Sequence, residues 1–383
     1  MIVHLDADCF FVSVERIKTP ALNGKAVIVG GSVRGVVASA SYEARKYGVT
    51  AAMPIWKAKQ LCKEAIVLST DMQSYHFMSN QLFTFLETFS PTIERQSIDE
   101  GYIDIAHAKN PEEYGRKMQN DIRLNLGLST SLGVATTKLV SQIAGKLHKP
   151  NGFTYIQAGT EKEFLKDLSI SWLPGFGPKT SLKLENRGIK TIGDILELSE
   201  QEALEFFGKN TKHILEVAQG IDTSVVNPIE QDAKSYGEQD TFERDTRDKE
   251  FIAQKLKGMS DNIMRKVRKD GKYAHTVEIR LRNSKFEEFR KAKTIKTQTN
   301  NEEDIYPAID DLLNSIWEGQ SIRLVGFRVA KVTSDAPNAE FDFCQTNRKS
   351  VTELLDKLKD SLGEDKIWRA HTPIHRSNRP KRR

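Results

Sequence analysis

Asp99 and Glu100 are adjacent carboxylates in the short connection Ser97-Ile98-Asp99-Glu100-Gly101, between two apolar runs that read as strands. Placing such a pair in a core is costly unless something cationic sits beside it. A third carboxylate, Asp6, stands at the end of the N-terminal strand Ile2–Leu5. If that strand lies beside the hairpin, Asp6, Asp99 and Glu100 meet and raise one another's pKa. Mg²⁺ would resolve the repulsion: it takes hard oxygen ligands, few carboxylates per ion, and leaves positions for phosphate oxygens and water. A two-ion site of this kind supports in-line phosphoryl transfer. Taken alone, an Asp-Glu pair is more often an exposed acidic turn.

Three further groups bear on the same chemistry. In Tyr42-Glu43-Ala44-Arg45-Lys46-Tyr47-Gly48, Tyr42 and Arg45 share a helix face. A phenol and a guanidinium there can grip a triphosphate, although a plain surface helix fits the same residues. In Leu173-Pro174-Gly175-Phe176-Gly177-Pro178-Lys179, the glycines allow a close turn between helices. Backbone N–H groups can then face a phosphate at the next helix's N-terminus, as in a helix-hairpin-helix that reads DNA backbone. The pair Phe10-Phe11 follows Asp6 closely. Such rings are normally core, but beside a nucleotide a bulky ring fills the space a ribose 2′-OH needs.

The elements that must position these groups follow from hydrophobic period. After the first strand come about 60 residues with small-residue turns, then a helix over Asp71–Phe89 with Tyr75, Met78, Leu82, Phe85 and Phe89 at helical spacing. Strands are predicted around Thr92–Ser97 and Tyr102–Ala106, a helix over Glu113–Leu126 and a strand over Leu128–Val134. This is the β-α-β-β-α-β, ferredoxin-like order. A helix over Thr137–His148 stops before Lys149-Pro150-Asn151-Gly152. Residues 160–226 read as short helices, and 227–234 as a polar linker. The βαββαβ order then recurs: strand Tyr236–Phe242, helix Lys249–Lys269, strands Tyr273–Arg282 and Phe286–Lys296, helix Glu303–Trp317, strand Ile322–Val332. A last helix spans Ser350–Gly363.

Composition limits the class. With 383 residues, 38% hydrophobic and 28% charged, the chain reads as a soluble globular protein of two to four domains. No apolar run nears the length of a membrane span, and no secretory leader is expected at the N-terminus. Cys9, Cys62 and Cys344 are scattered and form neither a disulfide framework nor a CxxC site, so a reducing cytoplasm is expected. Net charge is +5, but Lys255–Lys296 alone holds fourteen Lys or Arg against five Asp or Glu. The tail 371–383 adds five more basic residues and no acids. Such blocks suit a polyanion, DNA or RNA first, or else a solvated helix face.

Asp6-Ala7-Asp8-Cys9-Phe10-Phe11, Arg34-Gly35-Val36-Val37, Tyr42-Glu43-Ala44-Arg45-Lys46-Tyr47-Gly48, Ser97-Ile98-Asp99-Glu100 and Lys149-Pro150-Asn151-Gly152 occur in this order. In that order the chain resembles the Y-family translesion DNA polymerases, closest to their bacterial DNA polymerase IV branch, over almost its whole length. The resemblance implies an α+β right hand. Its parts would be a ferredoxin-like palm (1–10 and 71–159), small fingers (11–70), a helical thumb with a helix-hairpin-helix (160–226), a linker (227–234) and a βαββαβ little finger (235–335). Residues 336–383 would be a C-terminal segment.

The resemblance further implies that Asp6, Asp99, Glu100 and the Ala7 carbonyl hold two Mg²⁺. It makes Phe11 a steric gate against ribonucleotides, and Ser39, Tyr42, Arg45 and Lys149 dNTP contacts. Asp8 matches a family aspartate outside the metal set. Gly175, Gly177, Lys179, Arg280 and Arg282 would contact the primer–template. Glu340-Phe341-Asp342-Phe343-Cys344 stands where bacterial relatives carry a sliding-clamp motif. It keeps Phe341 and Phe343 but lacks the family's Gln and terminal Phe. A monomeric, error-prone, template-directed DNA polymerase without a proofreading exonuclease is the expectation. A nucleotidyl cyclase on a similar palm would not need the gate, the glycine hairpin or the basic domain. A non-catalytic DNA-binding factor would not need the three carboxylates.

Overall fold

A computed structural model of the chain describes residues 1–31, 34–229, 232–335, 343–363, 366–367 and 369, with side chains over 343–350 excepted. Phe341, the side chain of Phe343 and the basic tail 371–383 therefore lie outside the described residues. The chain divides into two compact units, Met1–Glu230 and Gln231–Arg383.

The first unit opens with strand β1 (Ile2–Ala7), every residue of which is buried, and turns sharply into helix α1 (Phe10–Lys18). A small three-stranded sheet follows, built from β2 (Val27–Gly30), β3 (Val37–Ala40) and β4 (Ile66–Leu68) in the order β3-β2-β4. The short helices α2 (Tyr42–Arg45) and α3 (Ile55–Leu61) lie between its strands in sequence. Helix α4 (Met72–Leu86) starts at an Asp71 cap and leads into the hairpin of β5 (Ile93–Arg95) and β6 (Glu100–Asp104). Helix α5 (Pro111–Leu126), capped by Asn110 and closed by the left-handed Gly127, precedes β7 (Thr130–Ala135). Helix α6 (Lys138–Leu147), capped by Thr137, leads to β8 (Phe153–Tyr155).

These strands form one five-stranded sheet in the order β5-β6-β1-β7-β8, with β1 at the centre and antiparallel to both neighbours. Alternation sorts the residues of β1. Val3, Leu5 and Ala7 join Tyr75, Leu82 and Phe83 of α4 and Met118 and Ile122 of α5 in one core. His4 and Asp6 therefore take the opposite face, against which α6 packs. The approach there is close: a Cβ on Gly133 would run into the Ser141 carbonyl and the Gly145 amide of α6. Gly133→Ala is expected to lower stability by about 2 kcal/mol through overpacking, read as a shifted denaturant midpoint.

Beyond β8 come the short helices α7 (Glu161–Lys166), α8 (Pro178–Glu185), α9 (Ile192–Leu196), α10 (Glu200–Phe207) and α11 (Thr211–Ala218). They share a core with α6 in which Leu165, Ile170, Leu184, Ile192 and Ile195 are buried. Reciprocal capping boxes, Thr191 with Asp194 and Ser199 with Glu202, hold the starts of α9 and α10 despite their shortness. The chain is strapped down where the stretch read as a linker begins: Val226, just before it, packs with Ile2 and Tyr102, and the amide of its first residue, Asn227, donates to Glu94 at 2.8 Å.

The second unit runs β9 (Ser235–Thr246), α12 (Lys249–Lys269), β10 (Ala274–Asn283), β11 (Glu288–Thr299), α13 (Tyr306–Ile316) and β12 (Ile322–Ala330). This is the expected βαββαβ order, folded as a sheet β11-β10-β12-β9. Val277, Ile279 and Leu281 of β10 meet Ile252, Leu256 and Met264 of α12 and Ile309 and Leu313 of α13. β11 begins two residues later than predicted. Asn283 Oδ1 accepts the Lys285 and Glu287 amides, at 2.9 and 3.0 Å, and the turn carries Phe286 in a left-handed conformation, φ +64°. The final helix α14 (Phe343–Leu362) starts earlier than predicted, and Asp356 ties it to Arg268 of α12 at 2.7 Å.

Candidate active site

The strand register brings the carboxylates to one place. Asp6 pairs directly with Glu100 across β1 and β6, and the Ala7 amide donates to the Asp99 carbonyl at 2.9 Å. Asp6 and Glu100 share the face that α6 crosses, and α6 runs toward two lysines that answer them. Lys149 Nζ pairs with Asp6, and Lys146 Nζ lies 3.0 Å from Glu100. Asp99 accepts from Ser97 Oγ at 2.7 Å, and that same Oγ accepts the Asp99 and Glu100 amides, both at 3.2 Å. The hairpin tip is thus shaped by one serine.

The electrostatics match a cation-seeking cluster. Burial, with the Asp99 and Glu100 charges, pushes the Asp6 carboxyl above its usual range, and Lys149 pulls it back. His4, fully buried with neither ring nitrogen hydrogen-bonded, is pushed down to about 3 by burial and by Lys146 and Lys149. It is therefore neutral, packed edge-on to Tyr102 and 3.8 Å from Glu100. Among the described residues, no three His, Cys, Asp or Glu side chains stand in a metal-holding arrangement. Asp6 and Glu100 each turn to their own lysine, which supplies the positive charge. The donor set itself, three carboxylates and a strand-end carbonyl with flexible ammonium partners, fits a hard divalent cation.

Past Ala7 the chain bends through Asp8 and Cys9, the latter left-handed at φ 37°. The bend starts α1 immediately and sets Phe10 inward and Phe11 at the edge. Phe11 stacks on Tyr75 at 4.3 Å and 11° between planes. Tyr75 is fully buried, and its hydroxyl donates to Glu15 at 2.9 Å. The Phe11 ring is thereby braced from behind by α4.

Asp8 is 1% exposed and takes no part in the carboxylate cluster. It accepts from Ser129 Oγ at 2.7 Å, Ser131 Oγ at 2.9 Å, the Asn151 amide at 2.7 Å and Tyr42 Oη at 3.4 Å. One carboxylate joins the approach to β7, the strand itself, the turn after α6 and α2. Sequence reading missed this role, because nothing local to Asp8 signals partners some 120 to 140 residues away. The same turn is held again by Gln119 of α5, whose amide donates to the Thr130 and Gly152 carbonyls at 2.8 and 3.0 Å. Lys149 thus projects from a fastened turn. Lys146 also went unnoticed, though Lys146-Leu147-His148-Lys149 puts two lysines one helical turn apart.

Of the nucleotide candidates, Tyr42 and Arg45 meet: the Arg45 guanidinium lies 4.6 Å from the Tyr42 ring centre, and its Nε donates to the Ala40 carbonyl at 3.0 Å. Burial raises the Tyr42 phenol well above its ordinary value, so it stays protonated. Ser39 is buried on β3. The glycine hairpin lies elsewhere in the unit. Gly175, at φ +88°, Gly177 and Lys179 are exposed, and Phe176 anchors the loop in the core. The element before it is a single 3₁₀ turn, Ile170–Trp172. Arg280 and Arg282 belong to the second unit.

Comparison with known proteins bears on this arrangement. The model of the impB/mucB/samB family matches residues 5–146, and that of the family's C-terminal domain matches residues 233–342. A DNA polymerase IV of Opitutus terrae is 38% identical over 379 residues, covering 97% of this chain and 96% of that protein. A DNA polymerase IV of Dehalococcoides mccartyi is 33% identical, with 97% of each chain covered. Among solved structures, a Y-family DNA polymerase chimera of Dbh and Dpo4 superposes with TM-score 0.79 at 28% identity, covering 87% of this chain and 99% of that one. An insertion ternary complex of Dbh DNA polymerase gives 0.62 at 29%, with the same coverage.

Proposed function

The chain belongs to the impB/mucB/samB family and is a DNA-directed DNA polymerase of the Y family, and from that premise we propose a mechanism for its translesion synthesis. Asp6, Asp99, Glu100 and the Ala7 carbonyl would hold two Mg²⁺, and primer 3′-OH ends are extended with dNTPs. The observation that carries this reading is the Asp6–Glu100 register together with the bond from the Ala7 amide to the Asp99 carbonyl. A bound pair of divalent ions would supply Lewis acidity for the 3′-OH and countercharge for the leaving pyrophosphate. The chain's own part is positional. Lys149, on its fastened turn, gives up Asp6 and takes a phosphate oxygen. Arg45 and Tyr42 grip the triphosphate from α2 with Ser39 beside them, the protonated phenol as donor and the guanidinium as a fork.

In this reading residues 1–10 and 71–159 act as palm, 11–70 as fingers, 160–226 as thumb and 235–335 as little finger. Gly175, Gly177 and Lys179 take duplex phosphates through backbone and charge, as do Arg280 and Arg282. Small fingers enclose the nascent pair loosely, which accounts for error-prone synthesis. The chain acts as a cytoplasmic monomer that docks on the sliding clamp through the segment of Phe341 and Phe343.

The braced Phe11 ring is the gate. Its support by Tyr75 keeps it from yielding to a ribose 2′-OH. Phe11→Ala is expected to raise ribonucleotide use relative to deoxynucleotide use by about 100-fold in the kcat/KM ratio, near what one added hydroxyl is worth in a tight apolar pocket. Primer extension with dNTPs or rNTPs tests the function as a whole. Extension confined to dNTPs and dependent on a divalent cation supports it, and tight duplex binding without extension overturns it.

A further inference from the structure

The outward face of the second unit's sheet carries an anion among its arginines. Val277, Ile279 and Leu281 point into the core, so Glu278, Arg280 and Arg282 stand on the other face of β10. The register sets Arg280 directly opposite Arg290, and Arg282 opposite Glu288. Like charges directly across a strand pair repel. Glu288 absorbs the conflict. It accepts from Arg280 Nη2, from Arg282 Nε at 2.9 Å and from Arg290 Nε at 2.9 Å and Nη2 at 2.5 Å. These bonds, those of Arg280 and Arg282 foremost, hold its carboxyl down to about 2.

One carboxylate cannot balance three guanidiniums. The fan keeps a net positive charge, and Arg280 Nε is buried with no acceptor. Beside it lies a trough of about 290 Å³, bordered by the cations Arg280, Arg290 and Arg328 and by two carboxylates, Glu238 and Glu278, where Gly326 raises no side chain. A phosphate seated there would meet Arg280 and Arg290, two of the three arginines that Glu288 now holds.

We propose that Glu288 is an internal stand-in for a DNA backbone phosphate. It holds Arg280, Arg282 and Arg290 in one fan in the free protein, cedes at least one of them when a duplex binds, and thereby weakens duplex affinity. The proposal rests on the reading of this face as a DNA contact and adds a residue that limits it. Such a residue keeps the arginines ordered without letting the face bind every polyanion tightly.

The test is duplex binding by the full chain, followed by fluorescence anisotropy over a range of salt. Glu288→Gln is expected to tighten binding about fivefold, the worth of one unit charge beside a phosphate in a water-like dielectric. It should also steepen the slope of log affinity against log salt by about one, the value of one further phosphate contact. Glu288→Ala, which has no amide to bond, should do the same. A purely structural role would lower the unfolding midpoint and leave the slope alone. Unchanged or weaker binding in both variants, with an unchanged slope, overturns the proposal. Arg280→Ala and Arg290→Ala separate it from the underlying reading. If they weaken binding, the DNA face stands whatever Glu288 does. If neither changes affinity, the face is no DNA contact and both ideas fall.

Discussion

Asp99→Ala is expected to abolish primer extension while leaving the protein as stable as before. The backbone at this position does the structural work: the Asp99 carbonyl accepts the Ala7 amide, and its own amide donates to Ser97 Oγ. Alanine keeps both. The lost side chain is only partly buried and its single bond is to Ser97. Its charge opposes folding, because it is one of the two that push the Asp6 carboxyl upward. The unfolding midpoint should therefore stay within about 0.5 kcal/mol of the parent or rise slightly. Extension should fall by about 1,000-fold or more, some 4 kcal/mol of barrier, as expected when a cation loses a carboxylate at a reacting phosphate. Single-turnover extension and thermal unfolding measured on one preparation separate the two effects. Extension at the parent rate would remove Asp99 from the chemistry.

The same experiment on Asp8 is expected to come out the other way round. Asp8 faces four donors: two serine hydroxyls, a backbone amide and a phenol. The carboxylate takes two on each oxygen. In Asp8→Asn the amide nitrogen either meets the Asn151 backbone donor head-on or takes the side of Ser131 and Tyr42, whose hydroxyls must then turn round to accept, and in both placements the charged acceptor is lost inside a site that is 1% exposed. Stability should fall by about 2 kcal/mol, within the range for hydrogen bonds to a buried charged acceptor. Because Asn151 hangs from Asp8, the turn bearing Lys149 loosens. The KM for dNTP should then rise more than kcat falls, with the divalent-cation requirement unchanged. Loss of kcat with a shifted cation requirement and intact stability would make Asp8 a metal ligand instead, against the geometry.

These two aspartates show how far the chain could be read before folding. The Asp6-Ala7-Asp8 stretch and Asp99-Glu100 stood out by residue type, since clustered carboxylates between apolar runs demand a reason. The helices were legible where apolar period was strong. The prediction over 249–269 coincides with α12, and 71–89 holds α4 with its capping Asp71. The β10 strand showed its two faces through strict alternation. Boundaries slipped where turn chemistry ruled, as at Asn283, whose side chain delays β11, and the three-residue β8 was too short to show a period.

Local residue types and periods were thus enough for the longer elements of both βαββαβ units, their order and the acidic residues, because each depends on neighbours within a few positions, but not for the short strands and helices between β1 and α4. Pairing across the chain was needed for the rest. That Asp6 sits opposite Glu100, that His4 and Asp6 share the face of α6, and that Lys146 and Lys149 reach those carboxylates all follow from the sheet order β5-β6-β1-β7-β8. A shift of one residue would have turned every side chain of β1 to the opposite face. The division of labour between two nearly adjacent aspartates, Asp6 in the carboxylate cluster and Asp8 sealed among donors, comes from the bend through Asp8 and Cys9, which takes Asp8 off the strand; Asp6 itself is placed by the register. That register is set by the burial of Val3 and Leu5 on one side of β1 and by the glycine contact of Gly133 with α6 on the other.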